Sequence, residues 1–273
     1  MIVDCFTFFN ELDLLEIRFE ELYSRVDKFI LVEAELTQSL IPKPLYFEQN
    51  KDRYSKFLDK VIHVKMPASK CPNNKNNIWE MENAQRNYIL NGISMCDLKN
   101  DDIILISDLD EIPNGKVISE LPAIFKSNDL RACSFEMDFY AYFLNLKAKS
   151  RNWIGTVACE YFTFSKYDPQ YLRNRKDFLP IIPEAGWHFS WLGGYEKIHE
   201  KTKSCIEPFD KGKLPTLDEF KSFFENFKNS DRKFFIHLEN LSKKETEFHK
   251  VDLNSSIPET ILSNREKYHS MIL

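Results

Sequence analysis

The six cysteines (Cys5, Cys71, Cys96, Cys133, Cys159 and Cys205) are scattered, with no CxxC pair or other close spacing. That argues against a zinc cluster or a disulfide framework and leaves reduced thiols in a cytoplasmic setting as the expectation. No apolar run approaches the ~18 residues that a membrane-spanning helix needs. Residues 1–9 carry no basic segment ahead of an apolar one, with Asp4 directly after Met1-Ile2-Val3, so neither a signal peptide nor an anchor is expected. Positive charge is not in excess either: 37 Lys and Arg stand against 42 Asp and Glu, a net charge of −5, which argues against a nucleic-acid-binding surface. The six histidines form no HExxH pattern, and neither an internal repeat nor a low-complexity tract is present. The sequons Asn240-Leu241-Ser242 and Asn254-Ser255-Ser256 are read as chance matches in a chain without an export signal.

What the chain does have is apolar material for a core, 43% hydrophobic against 29% charged over 273 residues. This suits one large domain, or one domain with a smaller appendage. The most informative stretch is Ile103-Ile104-Leu105-Ile106-Ser107-Asp108-Leu109-Asp110-Glu111-Ile112-Pro113. Its apolar run reads as a strand buried on both faces, as at the centre of a parallel sheet. Open α/β sheets bind ligands outside the carboxyl ends of their strands. Three carboxylates within four residues at such an end repel one another unless a cation joins them. In an extended strand Asp108 and Asp110 share a side, with Leu109 opposite. Hard oxygen ligands select Mg²⁺ or Mn²⁺, commonly with ligand phosphates completing the shell. The bland alternative is a solvated acidic turn closed by Pro113.

In chain order, Ile2 to Phe9 reads as a first strand, Asn10 as a helix cap and residues 11–25 as an amphipathic helix on Leu12, Leu15, Phe19 and Leu22. Strands at 28–34 and 60–64 follow, separated by a short helix near 50–58. Ala68 to Asn77 is a polar loop, and Trp79 to Asn91 a helix ended by Gly92. Strands alternating with helices predict a doubly wound half. After Pro113 the pattern changes: a helix over 114–125 limited by Pro122, then long aromatic strands at 130–146 and 153–164. Next come a basic patch at 172–176, a tight Gly/aromatic turn at 186–191, a helix over about 195–204 and two or three helices over 215–273.

Further candidates lie off the acid cluster. Glu82 and Arg86 are four apart on one helix face with Asn83 and Trp79 nearby; a surface ion pair explains them on the helix alone, and diphosphate neutralisation explains them if the helix abuts the acid strand. His188 is a lone histidine beside Gly186, Trp187 and Ser190. Arg173 and Arg175 read as a solvated patch, with phosphate contact as the minority reading.

The segments DCFTFFNELDLLEIRFEEL, VDKFILVEA, WEMENAQR, DDIILISDLDEIP and GWHFSWLGGYEKIHEKTKS, in that order over about residues 1–206, resemble glycosyltransferase family 17. The resemblance implies an α/β, GT-A-like (Rossmann-type) mixed sheet flanked by helices. Its nucleotide-binding half would span about 1–113 and its acceptor half 114–206, with 207–273 a helical extension packed on it. It also implies a metal-dependent, inverting transfer of a sugar, GlcNAc first among candidates, from a UDP-sugar to a hydroxyl of a glycan or other acceptor. Asp108 and Asp110 fall on the family's DxD and His188 on its GWH, giving Asp108, Asp110 and His188 as ligands of Mn²⁺ or Mg²⁺. By analogy with the fold, Thr7, Phe8, Asn10 and Glu11 are expected at the uridine, with Asn83, Arg86 and Asp108 also on the donor. Asp138, Glu160 and Glu184 are the candidate bases that would take the acceptor proton. Unlike the eukaryotic members, this sequence shows no amino-terminal anchor or luminal stem, so a cytoplasmic bacterial or viral enzyme with another acceptor is expected.

Three rival readings start from the same residues. A phosphatase would use Asp108 as a nucleophile, and a nucleotidyltransferase would share the metal-bound carboxylates. A non-catalytic sugar-binding module would stack a sugar on Trp187 and Trp191.

Overall fold

Alternating apolar residues on three adjacent strands build two cores, one on each side of a parallel sheet. The computed structural model describes residues 1–73, 79–204, 216–228, 234–235, 247–254 and 256–273. Strands β1 (Ile2–Phe8), β2 (Lys28–Ala34), β3 (Val61–Met66) and β4 (Ile103–Asp108) run parallel in the order β3-β2-β1-β4. Phe6, Phe29, Leu31 and Leu105 face helix Leu12–Leu22, while Val3, Cys5, Ile30, Val32, Ile104 and Ile106 face helix Ile89–Ile93. This is the period-2 division expected of strands covered on both faces. Phe19 of helix Leu12–Leu22 meets the rings of Phe6, Phe29, Tyr54 and Phe57, and each such side chain removed from water contributes about 1.5–3 kcal/mol.

Beyond β4 the sheet turns mixed. It continues through β5 (Glu111–Pro113), β6 (Ala132–Ala141), β7 (Leu146–Glu160) and β8 (Ile181–Ser190), in the order β4-β7-β6-β8-β5. β7 is antiparallel to both β4 and β6, whereas β8 is parallel to β6 and antiparallel to β5. The expected α/β, GT-A-like architecture is therefore present: a Rossmann-type parallel half joined to a mixed half, with helices on the faces.

Several local expectations are corrected. The helix predicted from 79 to 91 breaks at Tyr88 into Glu80–Asn87 and Ile89–Ile93. Gly92 therefore ends nothing; it lets the second piece approach the sheet, since a Cβ there would lie 2.4 Å from Ile30. Asn10 makes no side-chain cap, because helix Leu12–Leu22 begins after Glu11. Pro122 does not limit its helix, which runs Gly115–Ser127 with the proline inside, started by Asn114 accepting from the Lys116 amide at 2.9 Å. The stretch read as a tight turn at 186–191 is mostly strand β8, because Gly186 lies against β5 where a Cβ would sit 2.3 Å from the Ile112 carbonyl oxygen.

Of the helices expected over 215–273, Leu217–Lys228 and Glu259–Ser263 are present. The same segment also supplies two strands, β9 (Phe234–Phe235) and β10 (Glu247–Lys250), and β10 pairs antiparallel with Leu146–Ala148 of β7. Residues 215, 229–233, 236–246 and 255 of that expectation, and 74–77 of the expected polar loop, lie outside the described residues.

Candidate active site

A cleft of about 590 Å³ opens at the carboxyl ends of β1 and β4, where an open α/β sheet binds its ligand. Asp108 is the last residue of β4, Leu109-Asp110 forms a turn, and Glu111 begins β5.

One buried guanidinium holds that turn in shape. Arg18, fully buried on helix Leu12–Leu22, donates to both carboxylate oxygens of Asp4 at 2.6 and 2.8 Å. Its Nη1 reaches the carbonyl oxygens of Asp108, Leu109 and Glu111 at 3.0, 3.1 and 2.8 Å, and its Nη2 reaches the Ser107 hydroxyl at 2.6 Å. A planar fork of five donors can do this and an ammonium cannot.

The acids above the clamp have separate partners. The Asp108 carboxylate, 34% exposed, accepts from Arg86 at 2.7 Å and from Arg173 at 3.2 Å. Burial pushes its pKa up, but Arg86 and Arg173 outweigh that and hold it well below the usual carboxylate range. Glu111 is fully buried beneath the cleft and accepts from Arg173, from Trp153 Nε1 at 2.6 Å and from the Asp108 amide at 3.3 Å. Arg86 also binds Glu82 at 2.8 Å and Gln170.

Asp110 faces the other way. Its Oδ1 lies 3.7 Å from His188 Nε2, and its Oδ2 accepts from Lys201 at 3.3 Å, a lysine that also reaches Glu11 at 3.2 Å. Burial raises the Asp110 pKa against the pull of Lys201 and His188. Burial likewise lowers that of His188, favouring the neutral imidazole. The His188 ring is packed against Phe139 and Trp153, centroids 5.0 and 4.4 Å away, and its Nδ1 has no hydrogen-bond partner among the described residues.

The donor types suit Mn²⁺ or Mg²⁺, a carboxylate oxygen and an imidazole nitrogen converging on one point of the cleft. Asp108 stands apart, with both oxygens engaged by arginines. Among the described residues no group of three or more His, Cys, Asp or Glu is placed to hold an ion. Asp110 and His188 are thus the two side chains of the acid cluster's surroundings whose donors could hold an ion together.

A family model described as "Glycosyltransferase family 17" matches residues 1–203. The chain belongs to glycosyltransferase family 17. Among curated proteins it is similar to the beta-1,4-mannosyl-glycoprotein 4-beta-N-acetylglucosaminyltransferases of Rattus norvegicus and Homo sapiens. Each is 29% identical over 223 residues, covering 72% of this chain and 41% of the relative; the chain thus spans less than half the length of the curated relatives it matches. Among solved structures it is similar to S. aureus TarS 1-349 (TM-score 0.42, 10% identity, 84% of this chain and 73% of that one). It is also similar to GalNAc-T7 with UDP, GalNAc and Mn2+ (TM-score 0.43, 11% identity, 84% and 54%).

The family 17 chain brings most of the expected site residues together. Thr7, Phe8, Glu11, Asn83, Arg86, Asp108, Asp110 and His188 all line the cleft, whereas Asn10 lines a small neighbouring pocket instead. The three candidate bases do not line it. Asp138 pairs with Lys147 at 2.7 Å, and Glu160 pairs with Arg131 at 2.8 Å beside Ile103, at the opposite end of β4. Glu184 is an exposed residue of β8 at φ 51°. Trp187 is also unavailable for stacking: it is buried, with Nε1 donating to the Ser256 carbonyl at 2.6 Å, while Trp153 and Trp191 line the cleft. Arg173, read from sequence as a solvated patch, is buried. The position of Arg173 on helix Pro169–Asn174, beside the acid strand, was visible only after folding. Arg18 carried a faint signal, as a charge on the apolar side of an amphipathic helix.

These pKa directions give opposite pH effects for two neighbouring aspartates. The folded-state pKa of Asp108 lies below that of an unfolded carboxyl, about 3.9. Its arginine pairing therefore stabilises the fold above that pH and is lost as the pH falls through the folded value. The raised pKa of Asp110 means its charged form opposes folding, a cost that fades as it protonates. Asp108→Asn is expected to destabilise by roughly 1–2 kcal/mol at neutral pH, a modest figure because the side chain is one-third open to solvent, and to flatten the acid limb. Asp110→Asn is expected to be neutral or stabilising. Denaturant titrations between about pH 3 and pH 8 check both.

Proposed function

We propose that this chain transfers a sugar, GlcNAc first among candidates, from a UDP-sugar to a hydroxyl of a glycan or other acceptor, with inversion at the anomeric carbon and dependence on Mn²⁺ or Mg²⁺. Family membership supports sugar transfer. The observation that carries the finer reading is the convergence of Asp110 and His188 in a cleft that also holds Arg86, Arg173 and Lys176.

A divalent ion, when bound by Asp110 and His188, supplies positive charge to the donor diphosphate. Thr7, Phe8 and Asn83 are the donor-side wall, and Trp153 and Trp191 offer apolar faces to a sugar. The half at about 1–113 serves the nucleotide and that at 114–206 the acceptor. Deprotonation of the acceptor hydroxyl falls to a carboxylate of the cleft, which Asp138, Glu160 and Glu184 do not line. A phosphatase reading needs Asp108 as a free nucleophile, and two arginines hold it.

Saturating UDP-GlcNAc with Mn²⁺ is expected to raise Tm by several degrees, roughly what ligand at a hundredfold excess over Kd gives, with UDP released when an acceptor is supplied. Absence of any shift with UDP-sugars and Mn²⁺, together with no UDP release, overturns the reading.

A further inference from the structure

Among the described residues five basic side chains line the cleft: Lys43, Arg86, Arg173, Lys176 and Lys201. Four already hold carboxylates. Lys43 pairs with Glu33 at 3.6 Å, Arg86 with Glu82 and Asp108, Arg173 with Asp108 and Glu111, and Lys201 with Glu11 and Asp110. Lys176 differs. Among the described residues no carboxylate lies within 4.0 Å of its ammonium, which sits over the Trp153 ring at 4.3 Å from the centroid. It occupies the short turn Lys176–Phe178 that follows helix Pro169–Asn174, so it is half-buried on the same wall as Arg173.

Its surroundings explain why it stays in place without an ion pair. Trp153 Nε1 is tied to Glu111, and the same ring packs on His188. The indole face is thus fixed between the cation and the metal-binding pair, and gives the ammonium a modest attraction without neutralising it. Burial and the neighbouring Arg173 lower the pKa of Lys176, with Glu111, Asp177 and Asp108 acting the other way. A desolvated cation next to a like charge gains most from an incoming anion.

We propose that Lys176 is a catalytic residue that binds the donor's diphosphate and stabilises the departing nucleoside diphosphate; this rests on the UDP-sugar reading above. In the transfer, a lone pair of the acceptor oxygen forms the new bond to the anomeric carbon. The bond from that carbon to the β-phosphate oxygen breaks with both electrons remaining on the phosphate. The acceptor's proton passes to a cleft carboxylate. Lys176 keeps its own protons and donates to the phosphate oxygens as their charge grows, an interaction stronger in the transition state than before it. Arg86 and Arg173 shape the wall, and among the described residues Lys176 is the cation there without a carboxylate within 4.0 Å.

The test compares Lys176→Met, which keeps the stem over Trp153, with Lys176→Arg in the full chain. Binding of UDP with Mn²⁺ and of uridine is measured by calorimetry, and UDP release by turnover. Lys176→Met is expected to weaken UDP binding about 10- to 100-fold, the range for losing a charge-assisted contact, to leave uridine binding and Tm near wild type, and to lower kcat. Lys176→Arg is expected to recover most of the UDP affinity. Wild-type UDP affinity and kcat in Lys176→Met overturn the proposal, and so does an equal loss of UDP and uridine binding, which would mark a collapsed cleft. If the unaltered protein binds no UDP, the donor reading fails instead, so the two failures are distinguishable.

Discussion

Arg18→Met is expected to leave the chain unfolded or barely folded, with a loss of roughly 3–5 kcal/mol, the cost of stranding one partner of a buried ion pair. Asp4, with no exposed surface, would lose the guanidinium that binds both its oxygens, and the carbonyls of Asp108, Leu109 and Glu111 would lose their shared donor. Small domains hold only about 5–15 kcal/mol in total, so the loss is a large share. Arg18→Lys should do little better, because one ammonium cannot reach two carboxylate oxygens, three carbonyls and a hydroxyl together. A second change separates stability from site geometry. Removing the stranded charge in Arg18→Met/Asp4→Leu should return much of the stability, while the 108–111 turn stays unheld and UDP release stays low. Urea midpoints of the three proteins beside their turnover decide it; a single variant within about 1 kcal/mol of wild type would remove the clamp from the account.

Asp110→Ala is expected to act on chemistry with little effect on the fold. The ion proposed at Asp110 and His188 loses one of two protein ligands, and metal catalysis of this kind is worth several kcal/mol, so UDP release should fall about 10³-fold, equivalent to ~4 kcal/mol. UDP binding should also lose its dependence on Mn²⁺. Metal-dependent UDP binding of wild-type strength in this variant would refute the role. Stability should hold, since the replaced carboxylate is one whose burial opposes its charge.

The parallel half was readable because its strands, buried on both faces, are nearly continuous apolar runs separated by helix-period segments. The Asp108–Glu111 stretch was readable for the same reason: polarity begins where β4 ends. Local pattern failed where a distant partner sets the conformation. Gly186 looked like part of a turn, yet its missing Cβ serves close pairing with β5. Arg173 looked solvated because its carboxylate partners lie more than sixty residues away in sequence. Asp138 and Glu160 are candidate bases by their place on the strands after the acid cluster, and Glu184 by its place just before Gly186-Trp187-His188. β7 runs back along β4, however, and carries Glu160 to the far end of the sheet.

That long strand β7 has one more consequence. Its far end is covered by β4 and its near end by β10, and β10 comes from beyond residue 203, where the family match stops. The same C-terminal stretch places Ile257, Ile261, Tyr268 and Met271 in the main core and bonds the Leu273 amide to Asn145 at 2.8 Å. A chain cut back to residue 203 would uncover a ladder of unpaired amides and carbonyls beside bare apolar surface, the template on which strands from separate molecules add to one another. Such a protein should be collected from inclusion bodies, with this segment's contribution showing first as solubility.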